Sequence, residues 1–265
     1  MGRLKETFDN ISEAGNPGVI PFLTVGFPSI EDTISIVRIL EESGASVVEL
    51  GVPFSDPLAD GPTIQRSSFY ALEKGITVAN CLEVCKELRK EGVKVPLVLM
   101  GYYNPFLSYG IENFAHDAKD SGVDGVIVPD LPHEESHKLA KALRNNQLDL
   151  IPLLAPTSTD NRIAKSCESA SGFIYCVSLN GVTGVREQMP EGVLDITKRI
   201  RQQTTLPIAV GFGISKRQHV KSVGASAQAA VVGSALIQII ENNPDKQDRE
   251  QAIREFVLEL TGNLH

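Results

Sequence analysis

A chain of 265 residues, 42% of them apolar, is long enough to bury a substantial core and lies in the size range of a single closed α/β domain. Its net charge of -8 argues against nonspecific nucleic-acid binding and against docking on anionic lipid, so any anionic ligand must be held by local dipoles. The opening Met-Gly-Arg-Leu-Lys-Glu-Thr-Phe has no apolar signal core, and no run approaches the roughly 18 apolar residues of a membrane span. A cytoplasmic protein is expected, or a plastid one where a transit segment has been removed.

Short runs rich in Val, Ile and Leu alternate along the chain with amphipathic stretches. A helix over Arg3 to Ala14 precedes a first strand, Val19 to Val25, and a helix over Asp32 to Glu42. The second strand, Val47 to Val52, runs into a Pro- and Gly-rich loop, a helix starting near Thr63, and a further helix over Val78 to Glu91. The next strands are Val95 to Met100, Gly125 to Val128, Leu148 to Leu154, Phe173 to Ser178, Leu206 to Val210 and Ala229 to Val232. After them come helices over Ile111 to Asp120, Glu134 to Asn145, Arg162 to Glu168, Val193 to Gln203, Lys216 to Val223 and Ser234 to Glu241, and then a C-terminal helix over Lys246 to Thr261. Eight alternations over about 215 residues predict a TIM (β/α)8 barrel with added N- and C-terminal helices, one domain spanning 1–265. A doubly wound open sheet is the alternative, but no G-x-G-x-x-G follows the first strand.

Glu49 stands inside an otherwise apolar strand. Period two places it with Val47 and Gly51 on one face and Val48 and Leu50 on the other, so in a buried strand the acid points inward. Burial would raise its pKa toward the range of a general acid. Asp60 follows in a loop bent by Pro53, Pro57, Gly61 and Pro62, which can hold a second carboxylate above the same strand end. Two acids in two environments point to two roles; a structural Glu bonded to backbone or hydroxyl groups, with Asp60 as a helix cap, is the competing reading.

Active sites of such barrels lie at the C-terminal ends of the strands. The long connection from Leu179 to Gly192, with glycines at 181, 184 and 192, reads as a mobile lid or else as a surface loop without function. Gly211-Phe-Gly-Ile-Ser215 after the seventh strand and Gly233-Ser-Ala-Leu after the eighth each open a helix. There glycine admits close approach, and the free N–H groups and dipole favour phosphate. Phe22, Met100, Tyr102, Ile127, Leu153, Tyr175 and Phe212 gather at strand ends, either as barrel core or as walls for a flat apolar substrate joined to a phosphorylated tail.

Two motifs bear on other chemistry. His133-Glu-Glu-Ser-His137 satisfies H-E-x-x-H, but the buried stripe of its helix is expected at Leu139, Ala140 and Leu143, leaving both histidines on a solvated face; no metal site is assigned. Asp130, at the fourth strand end, is either a site residue or a turn former. Cys81, Cys85, Cys167 and Cys176 form no C-x-x-C pair and read as reduced thiols, the first two on the buried stripe of Val78 to Glu91 with Leu82 and Leu88.

Ile20-Pro-Phe-Leu-Thr24, the long run from Glu49 to Pro62, Gly181-Val-Thr-Gly184, Gly211-Phe-Gly-Ile-Ser215 and Gly233-Ser-Ala235 resemble one family along essentially the whole chain, the alpha chain of tryptophan synthase. The resemblance implies cleavage of indole-3-glycerol phosphate into indole and glyceraldehyde 3-phosphate, a retro-aldol reaction without a cofactor in this chain. It implies that Glu49 is the acid/base protonating the ring carbon, that Asp60 contacts the ring N–H and stabilises developing positive charge, and that Tyr175 lines the pocket. Thr183 is then expected to reach Asp60 on lid closure, and Gly184, Gly213, Gly233 and Ser234 to surround the phosphate. The implied partner is the family's beta chain, in an α2β2 complex, which holds pyridoxal phosphate and consumes the indole. Departures are few: Thr24-Val-Gly-Phe-Pro28 replaces the commoner T-A-G-D-P, Gly101 precedes the tyrosine pair, and Ser178-Leu-Asn-Gly181 has different fillers in S-x-x-G. None removes a catalytic group. A phosphosugar isomerase of the same barrel type and a catalytically weak regulatory subunit are competing readings; the apolar ring-binding residues speak against the first, the intact acids against the second.

Overall fold

The computed structural model describes residues 2–178 and 190–263. Its strands are β1 (Gly18–Thr24), β2 (Val48–Gly51), β3 (Leu97–Met100), β4 (Gly125–Ile127), β5 (Asp149–Ile151), β6 (Leu153–Leu154), β7 (Ile174–Val177), β8 (Ile208–Gly211) and β9 (Ala229–Val232). They form one parallel sheet in the order β5-β4-β3-β2-β1-β9-β8-β7-β6. The two ends of that order are halves of the single strand expected at 148–154. Pro152, which has no N–H to offer a neighbour, divides them. β5 pairs with β4 and β6 with β7, so the covalent step through Pro152 closes the barrel, and Ser171 and Tyr175 donate backbone N–H bonds to Leu150 and Pro152 across the seam at 3.1 and 3.0 Å.

The alternation of side chains sorts the core into layers. Val47, Val98, Ile127, Ile151, Tyr175 and Ala209 face one another in the barrel interior, while Val48, Leu50, Leu97 and Leu99 pack outward beneath the helices. The predicted N-terminal helix is present, and its i, i+4, i+7 face, Leu4, Phe8 and Ile11, enters the interior cluster from below, Phe8 against Phe173 with ring centroids 5.2 Å apart. The C-terminal helix Lys246–Thr261 is capped by Asp245 and clamped by Arg249, whose guanidinium is paired with Asp32 on helix Ile30–Glu42. Cys81, Cys85 and Cys176 are buried and all four cysteines are free thiols. Among the described residues no helix is long and apolar enough to cross a membrane.

One expected helix is corrected and one unexpected helix is added. The stretch 134–145 is a 3-10 turn, His133–Glu135, followed by the helix His137–Asn145, because Ser136 is buried and bonds back to the His133 carbonyl at the joint; the stripe below is Leu139, Ala142 and Leu143. A short helix, Tyr103–Tyr109, also precedes Ile111–Asp120.

Candidate active site

Glu49 is wholly inaccessible, flanked in register by Phe22 on β1 and Val98 on β3, and neither carboxyl oxygen has a hydrogen-bond partner among the described residues. Burial alone pushes its pKa up to about 8, so at neutral pH it is an uncharged acid holding a proton. A structural glutamate tied to hydroxyls is therefore not what the fold provides: an unpaired carboxylate here would cost far more than the neutral form.

Gly51, the next inward-facing residue of β2, lies about 7 Å further along the strand and has no side chain to cover the acid below. It lines a cleft with Phe22, Asp60, Met100 and Tyr102. Asp60 ends the loop after β2. Its N–H bonds the Pro57 carbonyl at 3.0 Å, its own carbonyl accepts from Gln65 Nε2 at 2.9 Å, and its carboxylate accepts from Tyr102 Oη at 3.1 Å. Burial raises its pKa to about 6, with the Tyr102 hydrogen bond pulling the other way. The same loop is held at its start by Ser68, whose Oγ accepts from Phe54 N–H at 2.9 Å and donates to the Phe54 carbonyl at 3.1 Å. Sequence reasoning passed over Ser68 and Gln65; their only trace was a polar face on a helix that immediately follows Asp60.

Tyr175 projects from β7 into the interior, and a side chain on Gly211 of the next strand would come within 2.8 Å of its hydroxyl oxygen. Burial, then the nearby carboxyls of Glu49 and Asp60, hold that hydroxyl well above the usual tyrosine range. Ile127 is a fully buried interior residue, and Leu153 packs half-buried against the same cluster, opposite Tyr175 in register. Phe212 differs. Ile208, Val210 and Phe212 all face outward from β8 and its extension, and the Phe212 ring packs in the outer cluster, 6.2 Å from the ring of His219.

After β8, Gly213 has φ +82°, the left-handed region that favours glycine, with open space where a side chain would stand. Gly233 precedes the helix Ser234–Asn242, which has no side-chain cap, so its first N–H groups are available to an anion. A β-carbon on Gly233 would sit 3.5 Å from Ile64 and 3.7 Å from Phe22, which places this helix start beside the apolar wall of the cleft. Thr183 and Gly184, and the expected lid from 179 to 189, lie outside the described residues.

Asp130 lies in the turn after β4, and its carboxylate accepts the Tyr103 N–H at 2.9 Å, where the helix Tyr103–Tyr109 begins. His133 bonds Ser169 Oγ at 3.1 Å while His137 stands exposed on the following helix. Among the described residues no group of three or more His, Cys, Asp or Glu could hold a metal ion.

The family model described as tryptophan synthase alpha chain matches residues 8–263. The tryptophan synthase alpha chain of Roseiflexus sp. (strain RS-1) is 48% identical over 262 residues, 99% of this chain and all of that protein. Among solved structures, the tryptophan synthase alpha subunit of Legionella pneumophila superposes with a TM-score of 0.90 at 34% identity, over 99% of this chain and 98% of that one. A chain from a tryptophan synthase complex of Pyrococcus furiosus superposes at 0.85 with 38% identity, over 93% and 98%. A barrel with an orphaned acid below its cleft, a second acid above it and an uncapped helix start at its far end thus coincides with a full-length match in sequence and fold, and the chain belongs to the tryptophan synthase alpha chain family.

Proposed function

We propose that Glu49 and Asp60 divide the chemistry of the family's reaction between them. The protein is a carbon–carbon lyase that cleaves indole-3-glycerol phosphate to indole and glyceraldehyde 3-phosphate, with no cofactor of its own and with a beta chain, the bearer of pyridoxal phosphate, as its partner. A retro-aldol cleavage of this substrate needs a proton at the ring carbon that carries the glycerol chain and a base at the adjacent hydroxyl. Glu49, neutral and buried, gives its proton to that ring carbon and, as the carboxylate so formed, takes the proton of the hydroxyl. The carbon–carbon bond then breaks, its electron pair returns to the ring, and the hydroxyl carbon leaves as an aldehyde. Asp60 accepts the ring N–H and stabilises the positive charge that the protonated ring carries.

Phe22, Met100, Tyr102, Tyr175, Ile127 and Leu153 are read as the apolar enclosure, with Phe212 packed outward behind it, and Gly213, Gly233 and Ser234, with Gly184 and Thr183 from the segment 179–189, as the phosphate and lid elements. The observation that carries the assignment is the fully buried Glu49 carboxyl with no partner, one strand step beneath a cleft that Asp60 overlooks. Incubating purified protein with indole-3-glycerol phosphate and following indole release tests it. The same reading takes 1–265 as one domain and the enzyme as cytoplasmic, with which four free thiols are in keeping. Leu58 (92% exposed) and Leu107 (46% exposed) stand on loop and helix at the strand-end face and give the beta chain an apolar surface to cover.

A further inference from the structure

Tyr102 directly follows Gly101, whose N–H bonds the Ile127 carbonyl at 3.1 Å, and precedes Tyr103, whose N–H bonds Asp130 at 2.9 Å, so its backbone is pinned to β4 and its loop on both sides. Its ring stacks on Phe54 with centroids 5.1 Å apart and planes inclined by 27°. Its hydroxyl oxygen lies 2.9 Å from Ala59 N and 3.1 Å from Asp60 Oδ2. The polarity of this pair is set once Asp60 is ionised. The Ala59 N–H can only donate to the hydroxyl oxygen, and an ionised carboxylate can only accept, so the one proton of Tyr102 goes to Asp60.

Among the described residues Tyr102 is the only side chain hydrogen-bonded to the Asp60 carboxylate. One carboxylate oxygen is thereby occupied and the other is left for the ring N–H of the substrate. We propose that Tyr102 is a positioning residue for the lyase reaction, its hydroxyl selecting which oxygen of Asp60 meets the substrate and tying that aim, through Ala59 and Phe54, to the conformation of the loop 53–60. This rests on the lyase reading given above. The other titratable groups near the pair are Asp130, on the loop after β4, and Glu49 and Tyr175 on β2 and β7, and none of them donates to Asp60. A hydroxyl donating to a carboxylate favours its ionised form, so the Tyr102 contact also keeps Asp60 charged when a cation develops on the ring.

The test is Tyr102→Phe, which keeps the ring and its stack on Phe54 but removes the proton. With the alpha and beta chains together, kcat for indole formation at pH 7 should fall about tenfold while KM changes by less than about threefold. The acid limb of the kcat profile should move to higher pH, so that the deficit shrinks between pH 6 and pH 8. Thermal unfolding and binding of glycerol phosphate by calorimetry show whether the variant is folded, and Tyr102→Leu, which removes the stack as well, should raise KM in addition. A Tyr102→Phe enzyme with wild-type kcat and an unmoved acid limb overturns the inference. Failure of the wild-type pair to release indole overturns the lyase reading instead.

Discussion

The ring of Phe22 lies across the neighbouring strand in the space that a side chain at position 51 would fill: a β-carbon built on Gly51 would stand 2.5 Å from Phe22 Cζ. Register explains the approach, since Phe22 pairs with Glu49 and leans one step toward the strand end. The missing side chain at 51 therefore seats the aromatic wall between the cleft and the buried Glu49 below it. Gly51→Ala should displace the Phe22 ring and lower kcat/KM for indole release by more than about tenfold, in keeping with the roughly 1–3 kcal/mol that overpacking costs. Phe22→Leu in the same chain should restore part of the loss. An alanine variant with normal kcat/KM would show that the ring has room to move.

Glu49→Gln keeps the shape of the buried group and removes its proton, so indole release should fall by ~10²- to 10⁴-fold with the fold retained. Stability carries an independent signature. The folded carboxyl titrates near 8, above its unfolded value of 4.5, so the native state holds a proton that the unfolded chain has lost between those limits. Native stability due to this group is complete below about pH 4.5 and declines as pH rises toward 8. The glutamine variant should accordingly melt above the wild type at pH 8, by a margin that vanishes near pH 5; equal melting temperatures at both values would mean that Glu49 is solvated or paired.

On the proposed division of roles, catalysis needs Asp60 ionised and Glu49 protonated. With values near 6 and near 8, kcat/KM of the free enzyme should trace a bell with its maximum close to pH 7. The acid limb belongs to Asp60, and Asp60→Asn should abolish that limb along with most of the rate. A profile rising steadily from pH 6 to pH 9 would remove Glu49 from the role of acid.

How far the sequence could be read follows from which forces act locally. The Val, Ile and Leu runs announce their strands because a strand buried on both faces is apolar throughout, and a lone acid such as Glu49 in one of them marks the interior face by period two alone. Pro152 was equally visible, yet the split it makes depends on two different neighbours, β4 and β7, being chosen by the halves of one run. Phe212 is instructive in the opposite sense: continuing the alternation Ile208, Val210, Phe212 already predicts an outward ring, but its place after a strand end and beside a glycine turn made it look like a cleft residue. Tyr102 reads from the sequence only as a substrate wall, since its bonds to Ala59 and Asp60 join the loops after β2 and β3, which no local pattern reports.

The phosphate end can be separated from the ring end. Gly213→Val introduces strain at φ +82° whatever the space, and Gly233→Val pushes a branched side chain toward Ile64 and Phe22 at the start of the helix Ser234–Asn242. Both should weaken glycerol phosphate and substrate binding far more than binding of free indole. Calorimetry that finds equal losses for indole and glycerol phosphate would put the phosphate elsewhere.

The last expectation concerns coupling to the beta chain. The loop 53–60 carries Leu58, almost fully exposed, two residues before Asp60, while Ser68, Gln65 and Tyr102 tie the loop to the barrel. A protein that covers Leu58 and Leu107 therefore acts on a segment whose far end is Asp60, the acid proposed to meet the ring N–H, and small shifts of Ala59 alter where it points. Binding free energies are reciprocal, so a ligand at the cleft that favours the coupled loop conformation tightens the beta chain by the same factor that the beta chain tightens the ligand. Titrating purified beta chain should raise indole formation to a plateau, and glycerol phosphate should lower the concentration needed to reach half of it. Leu58→Asp should shift the midpoint to higher beta-chain concentration by at least about tenfold, the effect of placing a charge in an apolar contact. Pro53 and Asp56 substitutions should lower the plateau by freeing the loop from its turn. If indole formation is already high in the isolated chain and stays flat through the titration, the loop does not transmit partner binding, and the enzyme releases indole independently.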